Sequence, residues 1–182
     1  YGVRLYSTDD CQISLNDIQG NTQEGASLLN SNHNYIGENT LGHNTQFDIH
    51  AVGYPGSNSS YNYIFGNRCN GTAISICLDG CTWNIVQGNR GTGNNDGIYL
   101  YRAENNYIEN NELAGLIKGV NLFSSANNTI LNNLCSEYQS GVFLSGSHRN
   151  NITGNDVSGC IQGISVQMSD GNELFENRCH DN

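Results

Sequence analysis

The chain has 182 residues and a formal net charge of −10, with seven Lys and Arg in all and only 13% charged residues. Nucleic-acid binding draws its affinity from basic side chains that neutralise phosphates, so this balance argues against it. An acidic polysaccharide would need a bridging divalent cation such as calcium, and no residue cluster offers calcium a clear site; no cofactor is expected. No apolar run approaches the ~20 residues needed to span a bilayer.

Asn, Gly and Ser are abundant, a mixture that without order would suggest disorder. A phase-locked repeat overrules this. The phrase Asn-x-apolar-x-x-Asn begins loosely as Cys11-Gln12-Ile13-Ser14-Leu15-Asn16, then recurs from Asn34, Asn62, Asn84, Asn106, Asn128, Asn150 and Asn172. From Asn84 onward its period is 22 residues. A second phrase, Gly-apolar-x-apolar, keeps the same beat at Gly97, Gly119, Gly141 and Gly163. Self-similarity at such a period marks a solenoid.

Each repeat holds three short apolar alternations, and period-two patterning assigns them to strands. The first strand predicts two inward columns. One runs Val3, Ala26, Phe47, Ile74, Ile98, Val120, Val142, Ile164; the other runs Leu5, Leu28, Ile49, Ile76, Leu100, Leu122, Leu144, Val166. The second strand supplies Ile13, Ile36, Ile64, Val86, Ile108, Ile130, Ile152 and Leu174. The third supplies Ile18, Leu41, Cys69, Gly91, Leu113, Cys135, Val157 and Cys179. The expected fold is all-β: a single-stranded right-handed parallel β-helix of about eight coils of ~22 residues, with three short strands per coil. The phrase-final residues Asn39 to Asn177 are expected at a left-handed bend, forming an Asn ladder from coil to coil. Residues 1–182 read as one domain. Because the chain starts at Tyr1 and shows no capping element, it also reads as part of a longer solenoid.

On the phrases Gly-Ile-x-Leu and Asn-x-Ile-x-x-Asn, the chain resembles the parallel β-helix repeats of NosD-like and carbohydrate-binding/sugar-hydrolase (CASH) domains. The resemblance covers the whole chain. It implies a polysaccharide-related role and, in the enzymes of the group, an active face along the first strand.

The outward columns of that strand are predicted as Arg4, Ser27, Asp48, Ser75, Tyr99, Asn121, Phe143, Ser165 and Tyr6, Leu29, His50, Cys77, Tyr101, Phe123, Ser145, Gln167. Tyr99, Tyr101, Phe123 and Phe143 then crowd one patch, where sugar faces stack and Asn121 meets hydroxyls. Asp48 and His50 are expected to point outward together as an acid–base pair. Beside them, 28 residues separate Asn34 from Asn62. The excess lies in an insertion around Tyr54 and Pro55 that would wall a cleft.

Other motifs lead nowhere. Asp9-Asp10-Cys11 and Asn94-Asn95-Asp96-Gly97 resemble elements of the polygalacturonases, but their order and spacing keep the carboxylates apart. Cys77 and Cys81 have a spacing that would chelate copper or close a small disulfide, and seven Cys leave at least one thiol free. Two functions compete: an extracellular, cell-surface or periplasmic protein that binds or processes a glycan as a lyase, epimerase or glycoside hydrolase, and a structural protein whose solenoid self-associates.

Overall fold

The computed structural model describes residues 1–54 and 58–182 and is a right-handed parallel β-helix of eight coils. The first strands of the coils include Val3–Tyr6, Ala26–Leu29, Phe47–Val52, Ile74–Asp79, Ser140–Ser145 and Gln162–Gln167. The second strands, Gln12–Ser14 through Glu173–Phe175, stack in sequence order into one eight-stranded parallel sheet. First and third strands join a second sheet, because Arg90–Tyr101 and Glu112–Phe123 each run through the corner between coils without a break.

The second- and third-strand columns stack as their patterning predicts, for example Ile108 on Ile130 on Ile152 and Leu113 on Cys135 on Val157. Most of these side chains are completely buried. Leu174 and Cys179 are exposed instead; they belong to the last coil and have a neighbouring coil on one side only. Burial of apolar area contributes ~25 cal/mol per Å², so the stack gains its stability coil by coil.

The first-strand register differs from expectation in coils three and four. Ala26 pairs with Ile49 and Leu28 with Ala51, while Ile76 pairs with Ile49 and Ile98. The inward columns are therefore Val3, Ala26, Ile49, Ile76, Ile98 and Leu5, Leu28, Ala51, Leu78, Leu100, and so on up the stack. Phe47 and Ile74 lie two positions earlier, half-buried beside Asp96. The cause is that Asp48 and Ser75 stand where other coils carry the glycine of the Gly-apolar-x-apolar phrase. With that marker gone, Phe47 and Ile74 mimic the start of the strand.

Two Asn ladders flank the second strands. In the expected one, Asn133 Nδ2 donates to Asn155 Oδ1 at 3.0 Å and to the Ile108 carbonyl at 2.9 Å, and its own Oδ1 receives Asn111. An equivalent ladder runs through the phrase-initial residues, as when Asn106 Nδ2 donates to Asn128 Oδ1 at 3.1 Å. The left-handed backbone falls on the residue before each ladder position rather than on the ladder Asn itself: Asn110 and Asn132 have φ of 54° and 52°. That residue turns the corner so that the next side chain points inward and bonds its counterparts, leaving few buried polar groups unmet. Smaller ladders at the remaining corners use Ser31 and Ser59, Ser125 and Ser147, and Asn21, Asn44 and Thr72.

Candidate functional site

With the register corrected, the outward face of the first strands carries His50, Cys77, Tyr99, Asn121 and Phe143 in one column. Val52, Asp79, Tyr101, Phe123 and Ser145 form the other. Of the four aromatics predicted to cluster, Tyr99, Tyr101 and Phe123 are in ring contact, and Phe143 follows on the next coil beside Asn121. Tyr99 and Tyr101 have ring centroids 6.1 Å apart, and Tyr101 and Phe123 are 5.9 Å apart in a stacked arrangement. Phe123 is 44% exposed, so core packing does not account for it. Arg102 lies 4.8 Å over the Tyr101 ring and Lys118 lies 4.4 Å over Phe143, both within cation–π range.

Asn121 is buried on this face and donates from Nδ2 to Asp96 Oδ2 at 2.8 Å, while its Oδ1 has no partner. Burial pushes the Asp96 pKa up, against the Asn121 hydrogen bond and the Lys118 charge. Burial also raises Tyr99 to about 12, helped by the neighbouring acidic groups Cys77, Tyr101, Asp96 and Asp79. Tyr99 therefore stays a neutral hydroxyl donor at neutral pH.

The expected Asp48–His50 pair does not form. Asp48 occupies the glycine column at the corner between third and first strands, is fully buried, and accepts from Asn44 Nδ2 at 2.7 Å and Thr72 Oγ1 at 2.6 Å. A side chain at that position projects toward the interior, as shown by the Leu113 atoms that a Cβ on Gly97 would meet. Burial raises the Asp48 pKa to about 6, with the Thr72 and Asn44 hydrogen bonds pulling it back. It faces no solvent and cannot reach a substrate.

His50 does face the candidate site, and its partner is Glu24: Nδ1 lies 2.8 Å from Glu24 Oε1. Burial works to raise the Glu24 pKa, but hydrogen bonds from His50 and Ser27 and the charges of His50 and Arg4 outweigh it and leave it lowered. His50 Nε2 is buried and free of partners. Glu24 carries no sequence signal; it precedes the glycine of its coil, outside the apolar alternation of the strand. The same position in coils five and six holds Asp96 and Lys118, so it supplies charged groups to the face.

Of the insertion predicted to wall a cleft, Pro55 and residues 56–57 lie outside the described residues. Tyr54 is exposed, and with Gly53 and Asn58 it faces Asp79, Gly80, Tyr101 and Arg102 across a groove of about 380 Å³. The groove borders Tyr101, whereas the insertion was expected to wall a cleft beside Asp48 and His50, neither of which lines it. A larger concavity of about 650 Å³ is the open side of the last coil, lined by Ile164 and Leu174, and contains none of these side chains.

Cys77 and Cys81 are both free and buried. Cys81 belongs to the core and Cys77 to the outward face, so their thiols diverge across the strand. Burial raises both thiol pKa values, Cys81 to about 12. Among the described residues, no three His, Cys, Asp or Glu side chains converge as metal ligands.

The site thus combines sugar-sized aromatic platforms, a shielded amide–carboxylate pair and an imidazole held by a carboxylate. Such groups offer a ligand stacking surfaces and hydrogen-bonding partners.

Among solved structures, the chain is similar to the periplasmic alginate epimerase AlgG, with a TM-score of 0.86 at 21% identity over 98% of this chain and 47% of that one. It is also similar to the A-module of the Azotobacter vinelandii mannuronan C-5 epimerase AlgE4 (TM-score 0.51, 15% identity, 94% of this chain and 56% of that one). The Dettilon tailspike protein gives 0.50 at 13% identity, covering 97% and 55% of the two chains. The chain spans about half the length of these proteins, and at such identities the likeness establishes the fold. No curated protein matches the chain in sequence. The family described as periplasmic copper-binding protein (NosD) matches residues 1–89 and 52–182, and the chain belongs to that family.

Proposed function

We propose that this protein binds or processes a glycan outside the cytoplasm, along the outward face of its first strands. The observation that carries the reading is the contiguous set Tyr99, Tyr101 and Phe123 on adjacent coils, opening into the groove faced by Tyr54. Aromatic rings left out of a core, beside buried hydrogen-bonding groups, suit the apolar faces and hydroxyls of sugars. The periplasmic description of the family and the alginate-modifying activities of the similar epimerases support the compartment and the ligand class. Three carboxylates, Asp79, Asp96 and Glu24, are matched here by Arg4, Arg102 and Lys118, and this mixed balance favours an uncharged or mixed glycan over a polyuronate.

If turnover occurs, His50 is the proton-transferring group, provided that substrate binding uncovers its buried Nε2, and Glu24 is the residue that orients it. Tyr99 and Asn121 hold hydroxyls.

The family description names copper, and the residues present do not fit it. Copper favours thiolate, thioether and imidazole clusters. Here the Cys77 and Cys81 thiols are buried and hard to ionise, and Met168 is exposed on the last coil.

A glycan microarray probed with the protein and with Tyr101→Ala tests the reading. Binding that Tyr101→Ala removes supports it; a protein that binds no glycan, or a variant that binds as well as the parent, contradicts it.

A further inference from the structure

The wall built by the second strands carries another aromatic surface. Tyr35, Tyr63, Ile85 and Tyr107 are lateral neighbours on coils two to five, pointing away from the core column. At the corner just before them stand His33, Tyr61 and Trp83, with φ of 55°, 56° and 59°. Tyr and Trp are disfavoured in left-handed backbone, where Asn and His are tolerated, and the next two coils use Asn105 and Asn127 at this corner. Tyr61 and Trp83 are 56% and 52% exposed, so the core gains little from them. Strained, solvated rings at Tyr61 and Trp83 on consecutive coils, with His33 stacked on Tyr61, point to a role outside folding.

The rings are held in place. His33 and Tyr61 stack at 5.2 Å with planes 6° apart. Tyr35 lies along its own strand over Gly37, where an added Cβ would come within 2.2 Å of the ring. Tyr63 contacts Tyr35 at 5.9 Å and donates its hydroxyl to Gln87.

We propose that this wall is a second binding platform, taking an uncharged polysaccharide that runs along the solenoid axis and passes its sugar rings from coil to coil. Charge selects the occupant: residues 32–38, 60–66, 82–88 and 104–110 contain no Lys or Arg, and Glu38, Glu104 and Glu109 border the rings. Anionic polymers are repelled by such a surface. Size argues against a second copy of the chain. Four coils about 4.8 Å apart and a strand with its corner cover on the order of 300 Å², well short of the ~800 Å² per partner of a stable dimer. A narrow ringed strip with amides at Gln87, Asn105 and Asn110 matches a linear glycan instead.

Affinity electrophoresis in gels containing hydroxyethylcellulose, galactomannan or xylan tests this, with polygalacturonate as the charged comparator. Tyr101→Ala/Phe123→Ala is the parent protein, so that the first-strand face is disabled. We expect this parent to be retarded in at least one uncharged gel and not in polygalacturonate. Adding Tyr61→Asn and Trp83→Asn should weaken retardation about tenfold or more, in the range for lost aromatic anchors, with an undiminished melting temperature because Asn suits the corner. A parent with no retardation in any uncharged gel overturns the proposal while leaving the first-strand reading standing. So does retardation unchanged by the two Asn substitutions, or a change confined to oligomeric state in sedimentation velocity.

Discussion

Glu24 and His50 lie 26 residues apart in the chain and meet across the boundary of two coils, Oε1 against Nδ1 at 2.8 Å. The contact fixes the imidazole through one nitrogen and leaves the other, Nε2, buried without a partner. With a glycan that the protein turns over, His50→Gln should lower kcat by about 10²-fold or more, as expected for loss of a general acid or base. Glu24→Gln should lower it less and shift the pH profile. Asp48→Gly should leave kcat within a few-fold of the parent. A loss of kcat confined to Asp48→Gly would return the acid–base role to that residue.

Asp48 and Glu24 impose opposite pH dependences on stability. The folded pKa of Asp48 is raised to about 6 from 3.8, so its native carboxyl holds its proton over a range where the unfolded one has lost it. Stability from this group is therefore highest below pH 4 and falls as pH rises through 6, by about 3 kcal/mol. Glu24 is lowered from 4.5, so its contribution is present above that value and drains below it. Thermal melts between pH 3 and 8 separate the two. The melting temperature of the parent relative to Asp48→Gly should fall as pH rises, and that relative to Glu24→Gln should fall as pH drops below 4.5. A pH-independent difference for Asp48→Gly would contradict its placement in the dry corner.

The Asn ladder should be worth more than its surface surroundings. Asn133→Ala strands the amide partners of Asn111 and Asn155 and should cost ~1–3 kcal/mol. Asn151→Ala, on the exposed outer side of the same wall, should cost less than about 0.5 kcal/mol. Urea denaturation of the two variants checks this; equal losses would remove the ladder from the account.

Ile130→Asp should destabilise by several kcal/mol, since a charge without a partner would enter a dry column between Ile108 and Ile152. Circular dichroism melts read the effect directly. A variant that melts like the parent would mean that the column is not packed as described.

The architecture was legible because a coil repeats its apolar positions at constant spacing, and four columns rich in Ile, Val and Leu have no other way to be buried together. Legibility failed where a marker residue was replaced. Asp48 and Ser75 hide the glycine that sets the strand phase, so Phe47 and Ile74 read as core and Asp48 as solvated. Glu24 was missed because it precedes a strand, where sequence pattern carries no direction. The aromatic patch survived the slip since coils five to seven keep their glycines, and Tyr99, Tyr101, Phe123 and Phe143 stay in phase. The corner rings His33, Tyr61 and Trp83 stand just before the Asn phrase and outside its apolar pattern, where orientation depends on a left-handed backbone that composition does not reveal.

The central claim is that Tyr101 and Phe123 are contact residues rather than packing residues. Isothermal titration with the best-bound oligosaccharide, beside melts of Tyr101→Ala and Phe123→Ala, tests it most directly. Each substitution should weaken binding by roughly 1–2 kcal/mol and leave the melting temperature nearly unchanged. Unaltered affinity, or variants that lose stability without losing affinity, would contradict the account.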